Sequence, residues 1–475
     1  METFTETDAG RYLDTPAATV DELVDRARMG AINWHMIGND GRKSILRQWA
    51  KYLASHIDEL AGVISQETGK PMSDATLEAG FGIELLLWAA NNAKKTLKKK
   101  NRLPGLLMAN MSTHIEYSPL GVVGVIGPWN YPMYTPMGSI AFALAAGNTV
   151  VFKPSEFTPG VGYWLGESFN HIAPNSNVFL VATGGQETGQ ALSMSAISKL
   201  AFTGSTKTGK KVAAACATNL TPVLMECGGK DAALVDQDAD IQKAVEGILW
   251  AAMSNAGQTC VAIERVYVHE SVADQFLAEI SSQVQSVVAG QSYGRATMPA
   301  QLAVIESHIK DADSRGATFI AGSADSVTPP YVQPTIMANV PEDSIAMTDE
   351  TFGPTVAINR VSSMTEAIAL ANSSRYGLGA SVWSKRNGKQ IASQLHCGMV
   401  SVNSAVAFTA TPMLPFGGVK DSGYGRIHGP EGLREFSYCR SVVSTRFVIP
   451  LKVSTFDRPI KVDALIKKMI QLRNR

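Results

Sequence analysis

Gly121-Val-Val-Gly-Val-Ile-Gly-Pro-Trp-Asn-Tyr-Pro132 is the stretch that decides the predicted fold. Its first six residues are apolar or glycine, a pattern typical of a strand buried on both faces of a parallel sheet. A small-residue helix over 141–146 follows, and then a second apolar strand, Asn148-Thr-Val-Val-Phe-Lys153. Strand, helix and strand in this order predict a parallel, doubly wound α/β sheet, which binds ligands at the carboxyl ends of its strands.

The pattern continues in both directions from this unit. Upstream, residues 18–100 carry apolar side chains at spacings of three and four, which predicts helices. Downstream, two more apolar runs extend the first sheet, and a second α/β region begins after Gly229. The further predicted strands are 177–182, 199–202, 232–235, 265–268, 317–320, 355–359 and 399–402.

Length and composition indicate a globular enzyme of more than one domain. The chain has 475 residues, of which 45% are hydrophobic and 18% charged, and 42 Lys and Arg balance 42 Asp and Glu. This balance gives no reason to expect a nucleic acid partner. The 5 cysteines are widely spaced without a CxxC pair, so we expect neither a metal site nor disulfides. With no signal pattern and no apolar stretch of membrane-spanning length, we expect a cytoplasmic protein.

Two residues carry the chemistry that the sequence predicts. Cys260 ends the run Asn255-Ala-Gly-Gln-Thr-Cys260, and Glu226 opens Glu226-Cys-Gly-Gly-Lys230. A thiol in a glycine-containing loop and a carboxylate in a glycine-rich turn supply a nucleophile and a base, which allows covalent capture of an electrophilic carbon and hydrolysis of the adduct. The alternative for Cys260 is a small buried hydrophobe, as we expect for the other cysteines.

Three further motifs lie where strands end. Phe202-Thr-Gly204-Ser205 precedes a helix and suits a pyrophosphate, although a plain strand-to-helix turn fits the local pattern as well. Lys153-Pro-Ser-Glu156 could hold the ribose hydroxyls of an adenosine, or form an exposed ion pair on a turn. Asn130 follows the first strand, where its amide could stabilise an oxyanion or simply form a turn.

Taken together and in order, these motifs resemble the aldehyde dehydrogenase superfamily. The resemblance runs from about residue 20 to about residue 445 and favours the functional alternative for each of the motifs above. The motifs that carry it are Pro128-Trp-Asn-Tyr-Pro132, Lys153-Pro-Ser-Glu156, Phe202-Thr-Gly-Ser205, Glu226-Cys-Gly-Gly-Lys230, Gly257-Gln-Thr-Cys260, Glu350-Thr-Phe-Gly-Pro354, and Pro415-Phe-Gly-Gly-Val-Lys420 with Ser422-Gly-Tyr-Gly425.

The resemblance implies oxidation of an aldehyde to a carboxylic acid by a nicotinamide cofactor. It makes Cys260 the nucleophile, Asn130 the oxyanion donor and Glu226 the base that activates water, which favours hydrolysis over transfer to coenzyme A. Glu156 favours NAD, with NADP as the alternative. No metal is implied. The cofactor-binding residues are expected to be Trp129, Lys153, Glu156, Gly185, Gly204, Ser205, Glu350 and Phe352.

The family's fold implies a Rossmann-type cofactor domain (1–102 and 119–228), an α/β catalytic domain (229–436) and a small β oligomerisation element (103–118 and 437–450). By analogy, we expect a homodimer or a homotetramer. The tail over 451–475 is basic with interleaved apolar residues. Packing on a partner subunit is favoured for it over contact with an anionic membrane surface.

The substrate is less constrained by the sequence. Six apolar or aromatic residues are candidates for the wall of the substrate channel, although each could equally pack in the core. An apolar wall favours an aliphatic or aromatic aldehyde. The alternatives are succinate semialdehyde, which would need an arginine that we cannot place, and a CoA-acylating or catalytically silent relative. The candidate channel residues are Leu86, Trp88, Trp129, Met133, Phe408 and Phe416.

Overall fold

The structure is a computed structural model that describes residues 4–7, 10–105, 108–449, 451–453 and 455–473. Four helices precede the first sheet, as the spacing of apolar residues predicts. The helices are α1 Ala17–Met36, α2 Gly38–Ser55, α3 Ile57–Thr68, α4 Met72–Thr96, α5 Tyr134–Ala146, α6 Pro159–Ile172, α7 Gln186–Met194, α8 Thr206–Ala217, α9 Ile241–Met253, α10 Glu270–Gln283, α11 Pro299–Ser314, α12 Ile345–Thr348, α13 Met364–Ser373, α14 Gly388–Ala392, α15 Gly429–Glu435 and α16 Ile460–Arg473.

Each apolar run that predicts a strand overlaps a strand of the structure. The strands are β1 Phe4–Thr7, β2 Gly10–Leu13, β3 Lys100–Arg102, β4 Met111–Pro119, β5 Val122–Ile126, β6 Thr149–Lys153, β7 Phe179–Val181, β8 Lys199–Gly204, β9 Val223–Cys227, β10 Asp231–Val235, β11 Ile263–His269, β12 Thr318–Ala321, β13 Val327–Thr328, β14 Tyr331–Val332, β15 Thr335–Ala338, β16 Thr355–Val361, β17 Gly379–Trp383, β18 Met399–Val402, β19 Gly423–Tyr424 and β20 Ser437–Thr445.

The first sheet has the order β19-β9-β8-β5-β6-β7, and the strands from β9 to β7 run parallel. β5 lies where the order reverses, with β6 and β7 on one side and β8 and β9 on the other. The helix between β5 and β6, α5, is buried from Thr135 to Ala146. Such a helix must be covered on every side, and it packs between this sheet and α4.

The second sheet has the order β12-β15-β16-β11-β10-β17-β18 and is parallel except for β12. After β18 the chain returns to the first sheet, where β19 pairs antiparallel with β9. Residues 415–435, placed by the sequence in the catalytic segment 229–436, therefore contribute a strand to the first sheet. No helix of the described residues is long and apolar enough to cross a membrane.

A separate antiparallel sheet of order β20-β4-β3 contains the segments predicted for oligomerisation. The first predicted segment, 103–118, is shifted: β3 ends at Arg102, Leu103 is 97% exposed, and β4 begins at Met111. The second predicted segment, 437–450, contains β20, which begins at Ser437. Part of the loop between β3 and β4, residues 106–107, lies outside the described residues. The tail predicted over 451–475 contains α16.

Candidate active site

The predicted site residues lie at the carboxyl ends of the parallel strands of the first sheet. Asn130 follows β5, Lys153 ends β6, Gly204 ends β8 and Glu226 lies near the end of β9. Because β5 is the strand at which the sheet order reverses, the crevice beside it is the place where open α/β sheets bind ligands. The fold therefore brings residues from four distant motifs to one edge.

Cys260 follows a turn of three successive left-handed residues. Asn255, Ala256 and Gly257 have φ angles of 53°, 57° and 68°, and such a conformation costs a non-glycine residue roughly 1–3 kcal/mol. Glycine is required at 257, because a Cβ there would lie 2.0 Å from the carbonyl oxygen of Gly353. The turn leaves Cys260 half-buried in the wall of a cleft.

Glu226 lies beside the thiol of Cys260 in a buried position. Neither carboxylate oxygen meets a hydrogen-bond partner of standard geometry among the described residues. Burial raises the pKa of Glu226 to about 8, an effect that the Thr203 hydroxyl and the Cys260 thiol partly oppose. Burial, with the charges of Glu226 and Glu350, also raises the pKa of the Cys260 thiol well above its usual range.

Asn130 is held against the loop of the nucleophile. Its Nδ2 donates to the carbonyl of Gln258 at 2.9 Å, and its own carbonyl accepts from Asn255 Nδ2 at 3.1 Å. An amide nitrogen carries two N–H groups. One N–H of Asn130 is therefore committed to the loop of Cys260, which leaves the second for a ligand.

A buried ion pair supports the Asn130 loop from behind. Lys70 Nζ lies 2.5 Å from Glu78 Oε2, and both side chains are 0% exposed. Lys70 also donates to the Asn130 carbonyl at 2.9 Å and lies 4.0 Å from the centre of the Tyr131 ring. Glu78 Oε1 accepts from the backbone N–H of Met133 at 2.9 Å. The pair thus fixes both ends of the loop that presents Asn130.

We expect Lys70→Met to lower the free energy of unfolding by about 3–5 kcal/mol, because it leaves the Glu78 carboxylate buried without its cation. Urea denaturation followed by circular dichroism measures this change. The matched control is Lys94→Met, which breaks an exposed pair with Asp40 of similar length, 2.6 Å, and should cost less than about 1 kcal/mol. Equal losses in the two variants would contradict the role given to Lys70.

A loop of the second α/β region closes the site from the other side. The backbone N–H of Gly229 donates to Glu350 Oε1 at 3.1 Å, so this carboxylate lies on the turn that follows Glu226. Burial raises the pKa of Glu350 to about 8. Two residues further on, the ring of Phe352 meets that of Trp129 edge to face, with centroids 5.4 Å apart. Trp129 follows a strand of the first sheet and Phe352 precedes a strand of the second sheet, so their contact joins the two halves of the site.

Five of the residues predicted to bind the cofactor lie together at the carboxyl ends of strands of the first sheet, where they could hold a dinucleotide: Lys153, Glu156, Gly185, Gly204 and Ser205. Ser205 caps α8, whose first turn carries no acidic residue, and a helix N-terminus of this kind attracts phosphate. Lys153 Nζ lies 3.3 Å from Glu156 Oε2, which places a cation and a carboxylate together at the end of β6. Gly185 borders open space, since a Cβ added there would have no atom within 4 Å, and this leaves room for a ligand. With Gly204 at the end of β8, these groups fit a dinucleotide.

Cys260 lines a cleft between the two α/β regions. Of the six predicted channel residues, Phe416 lines this cleft, whereas Leu86, Met133 and Phe408 are buried in the core. Trp88 stacks on Phe142, with ring centroids 5.6 Å apart, and Trp129 contacts Phe352 on the cofactor side. The apolar part of the wall consists of Leu77, Phe81, Trp250, Val261, Val406, Phe416 and Ile427.

Sequence reasoning missed two buried ion pairs that hold the site loops. The first is Lys70 with Glu78. The second is Lys230 with Glu264; the Glu264 carboxylate accepts from the backbone N–H of Phe352 at 2.9 Å. Lys230 closes the Glu226 motif, which is the signal that could have pointed to the second pair. No comparable signal marks the first pair, because Lys70 and Glu78 lie between and within helices.

A parallel α/β sheet with a candidate dinucleotide site, a half-buried thiol and a buried carboxylate at one edge is typical of a nicotinamide-dependent oxidoreductase. The chain belongs to the aldehyde dehydrogenase family, since the profile of the "Aldehyde dehydrogenase family" matches residues 1–442. The predicted family, fold class and enzyme class are therefore confirmed, and the cofactor is confirmed as NAD or NADP.

Relatives and solved structures agree with this assignment. A protein of Mycolicibacterium smegmatis, named as a candidate NADP-dependent succinate-semialdehyde dehydrogenase, is 36% identical over 92% of this chain and 87% of its own length. A 4,4'-diapolycopene aldehyde oxidase of Methylomonas sp is 33% identical over 94% of this chain and 86% of its own. The structure of an NAD-dependent aldehyde dehydrogenase from Sinorhizobium meliloti superposes with a TM-score of 0.90 at 30% identity, covering 96% of this chain and 93% of the other.

Proposed function

We propose that this protein oxidises an uncharged, apolar aldehyde to its carboxylic acid with NAD, and that it hydrolyses a thioester on Cys260. One observation carries the proposal: the thiol lies in a cleft whose wall is largely apolar, and beside it is Glu226, a buried carboxylate that no cation of the described residues neutralises. An apolar cleft with a few convergent polar groups and groups of shifted pKa is typical of an active site.

The first stage of the reaction is covalent capture of the aldehyde. The sulfur of Cys260 attacks the aldehyde carbon, and the carbonyl oxygen becomes an oxyanion. The uncommitted N–H of Asn130 stabilises this oxyanion, because its amide is already oriented by the bond to Gln258. A nicotinamide dinucleotide held by Lys153, Glu156 and Ser205 would supply the hydride acceptor for the adduct and a positive charge that would favour the Cys260 thiolate.

The second stage is hydrolysis of the thioester that remains on Cys260. Glu226 takes a proton from water, and the oxygen of that water attacks the thioester carbon. The C–S bond breaks, the carboxylic acid is released, and Glu226 returns its proton to the departing sulfur. A base works best when its pKa lies near the working pH, and burial places the pKa of Glu226 at about 8. The carboxylate is also close enough to the thiol to act on a water molecule at the acyl group.

The charges in the cleft favour an uncharged substrate. Of the cleft-lining residues that the structure describes, none is an arginine, and Lys70 is committed to Glu78. Asp74 also lines the cleft, so a carboxylate on the substrate would face acidic side chains. Trp250 and Leu77 are 54% and 47% exposed at the wall, as expected for an apolar entrance. The name of the Methylomonas relative, which specifies the aldehyde of a polyene hydrocarbon, supports the same class of substrate.

Succinate semialdehyde is the second candidate substrate. The name of the relative from Mycolicibacterium smegmatis favours it. A substrate carboxylate would need a cation in the cleft, because an unpaired charge is costly to bury. Lys70 could serve only by giving up part of its contact with Glu78.

A panel of aldehydes separates these candidates. We expect kcat/KM for nonanal and benzaldehyde to exceed that for succinate semialdehyde by at least about 100-fold, because the only Lys or Arg among the described residues of the cleft wall is Lys70, which is paired with Glu78. Formation of reduced cofactor, followed by absorbance, measures each value. A higher kcat/KM for succinate semialdehyde would replace the proposed substrate with the second candidate.

Cofactor choice depends on Glu156. Its carboxylate can accept bonds from ribose hydroxyls and repels a 2′-phosphate, so kcat/KM should favour NAD over NADP by about tenfold or more. Glu156→Ser should reduce this preference, while Glu22→Gln, an exposed change on α1, should leave it unchanged. A preference for NADP in the unaltered protein would refute the assignment.

We also propose that the chain forms a homo-oligomer through the sheet of β20, β4 and β3. β20 is an edge strand of this sheet, and Tyr438 and Val443 on it are 45% and 58% exposed. An open edge with exposed apolar side chains is suited to pairing with a second copy. On α16, Ile460 and Ile470 are 86% and 47% exposed, which supports packing of the tail on a partner subunit.

A further inference from the structure

His428 is a buried polar residue for which the reaction above has no use. It is 1% exposed and lines the same cleft as Cys260. Neither Nδ1 nor Nε2 meets a hydrogen-bond partner among the described residues. Every other buried polar side-chain atom in the described wall of the cleft has a partner. Among the described residues that line this cleft, His428 is thus the one whose buried side-chain polar atoms meet no hydrogen-bond partner.

The side chains around His428 explain why its ring nitrogens have no hydrogen-bond partner among the described residues. The rings of Tyr134, Phe142 and Phe416 surround it at centroid distances of 5.9, 5.9 and 5.4 Å. The Tyr134 hydroxyl donates to the carbonyl of Thr409 at 2.6 Å and is therefore engaged elsewhere. Burial among these rings lowers the pKa of His428 to about 3, so the imidazole is neutral, with one donor and one acceptor nitrogen.

The imidazole ring of His428 keeps its position although this requires a glycine on a neighbouring helix and a strained backbone at His428 itself. Gly138 on α5 makes room for it, because a Cβ there would lie 2.7 Å from Nε2. The backbone of His428 has φ 59° and ψ 170°, a region that only glycine adopts readily. Although His428 is the N-cap of α15, its side chain makes no capping hydrogen bond. Strained, unpaired residues of this kind concentrate at ligand-binding sites.

We propose that His428 determines substrate specificity by hydrogen bonding to a second, uncharged oxygen on the aldehyde, either a hydroxyl or a carbonyl, away from the reacting carbon. This inference rests on the proposed function and narrows its substrate class to oxygenated apolar aldehydes. A hydroxyl fits best, since it can both accept from one ring nitrogen and donate to the other. A carboxylate fits poorly, because Asp74 and Glu78 line the same cleft.

Matched pairs of aldehydes test the proposal. In each pair a terminal methyl group replaces a hydroxyl: 4-ethylbenzaldehyde with 4-(hydroxymethyl)benzaldehyde, 4-propylbenzaldehyde with 4-(2-hydroxyethyl)benzaldehyde, and nonanal with 8-hydroxyoctanal. The three pairs place the hydroxyl at different distances from the aldehyde. In the unaltered protein, at least one hydroxylated member should have a kcat/KM about tenfold above that of its methyl partner.

Two variants assign the preference to His428. His428→Gly suits the backbone angles but has no imidazole, so it should abolish the preference within the pair. His428→Asn tolerates a positive φ and retains a donor and an acceptor, so it should keep part of the preference. A purely structural role of His428 would change both members of a pair equally and leave their ratio unaltered.

The outcomes separate this inference from the function on which it depends. Oxidation of the methyl compounds without any preference for the hydroxyl compounds overturns the role of His428 alone. A preference that survives in His428→Gly also overturns it, because another group would then be responsible. If the unaltered protein oxidises none of the six aldehydes, the proposed function fails instead.

Discussion

Replacing Glu226 with Gln should leave a burst of reduced cofactor and lower steady-state turnover by about 10²–10⁴-fold, the usual contribution of a general base. The burst persists because hydride transfer precedes hydrolysis. Turnover falls because an amide cannot take the proton from water, so the thioester on Cys260 accumulates. Stopped-flow absorbance gives the burst and the steady state, and mass spectrometry detects the acylated protein.

The pH dependence of turnover is a second test of the role of Glu226. Burial raises the pKa of Glu226 to about 8, and only the deprotonated carboxylate is a base. In the unaltered protein, turnover should therefore rise as the pH increases through about 8, and in Glu226→Gln this rise should be absent. Glu270→Gln, an exposed change on α10, serves as the control. Unchanged turnover in Glu226→Gln would show that another base activates the water.

Cys260→Ala should abolish both the burst and the turnover, a loss on the order of 10⁶-fold or down to background. Without the sulfur no covalent adduct forms, so neither the hydride step nor the hydrolytic step can begin. Cofactor binding should persist, because the candidate dinucleotide site lies on the first sheet, and fluorescence titration with NAD measures it.

Cys439→Ala is the matched control, since this thiol is exposed on β20 and is not among the described residues that line the cleft. It should leave burst and turnover unchanged. A burst that remains in Cys260→Ala would mean that hydride transfer needs no thiohemiacetal. Loss of activity in both variants would point to a general loss of folding, which circular dichroism detects.

Much of the fold follows from local patterns in the sequence. The runs that became β5 and β6 are short, apolar and followed by glycine or proline, and they predicted the central strands within a residue or two. β19 could not be predicted, because it has two residues, Gly423 and Tyr424, and no alternation. Its pairing depends on a long-range return of the chain that no local pattern encodes.

In the site, too, some residues could be predicted from the sequence and others could not. Cys260, Glu226 and Asn130 stand in motifs with distinctive glycine and proline neighbours, so the sequence could predict them as a set. The cleft wall was predicted poorly, because a sequence shows that a residue such as Leu86 is apolar but not whether it faces the core or a cavity. The partnership of Lys70 with Glu78 could not be foreseen either, since most charged residues lie at the surface.

The pairing of β19 with β9 has a consequence for folding during synthesis of the chain. Gly423 lies opposite Glu226 in this pairing, and the Ser422 hydroxyl donates to the Gly228 carbonyl at 2.8 Å. In a nascent chain, β9 therefore remains an open edge until almost two hundred further residues have left the ribosome. Open edges invite pairing with other chains. Synthesis of the second α/β region is thus the interval during which this protein is most exposed to aggregation.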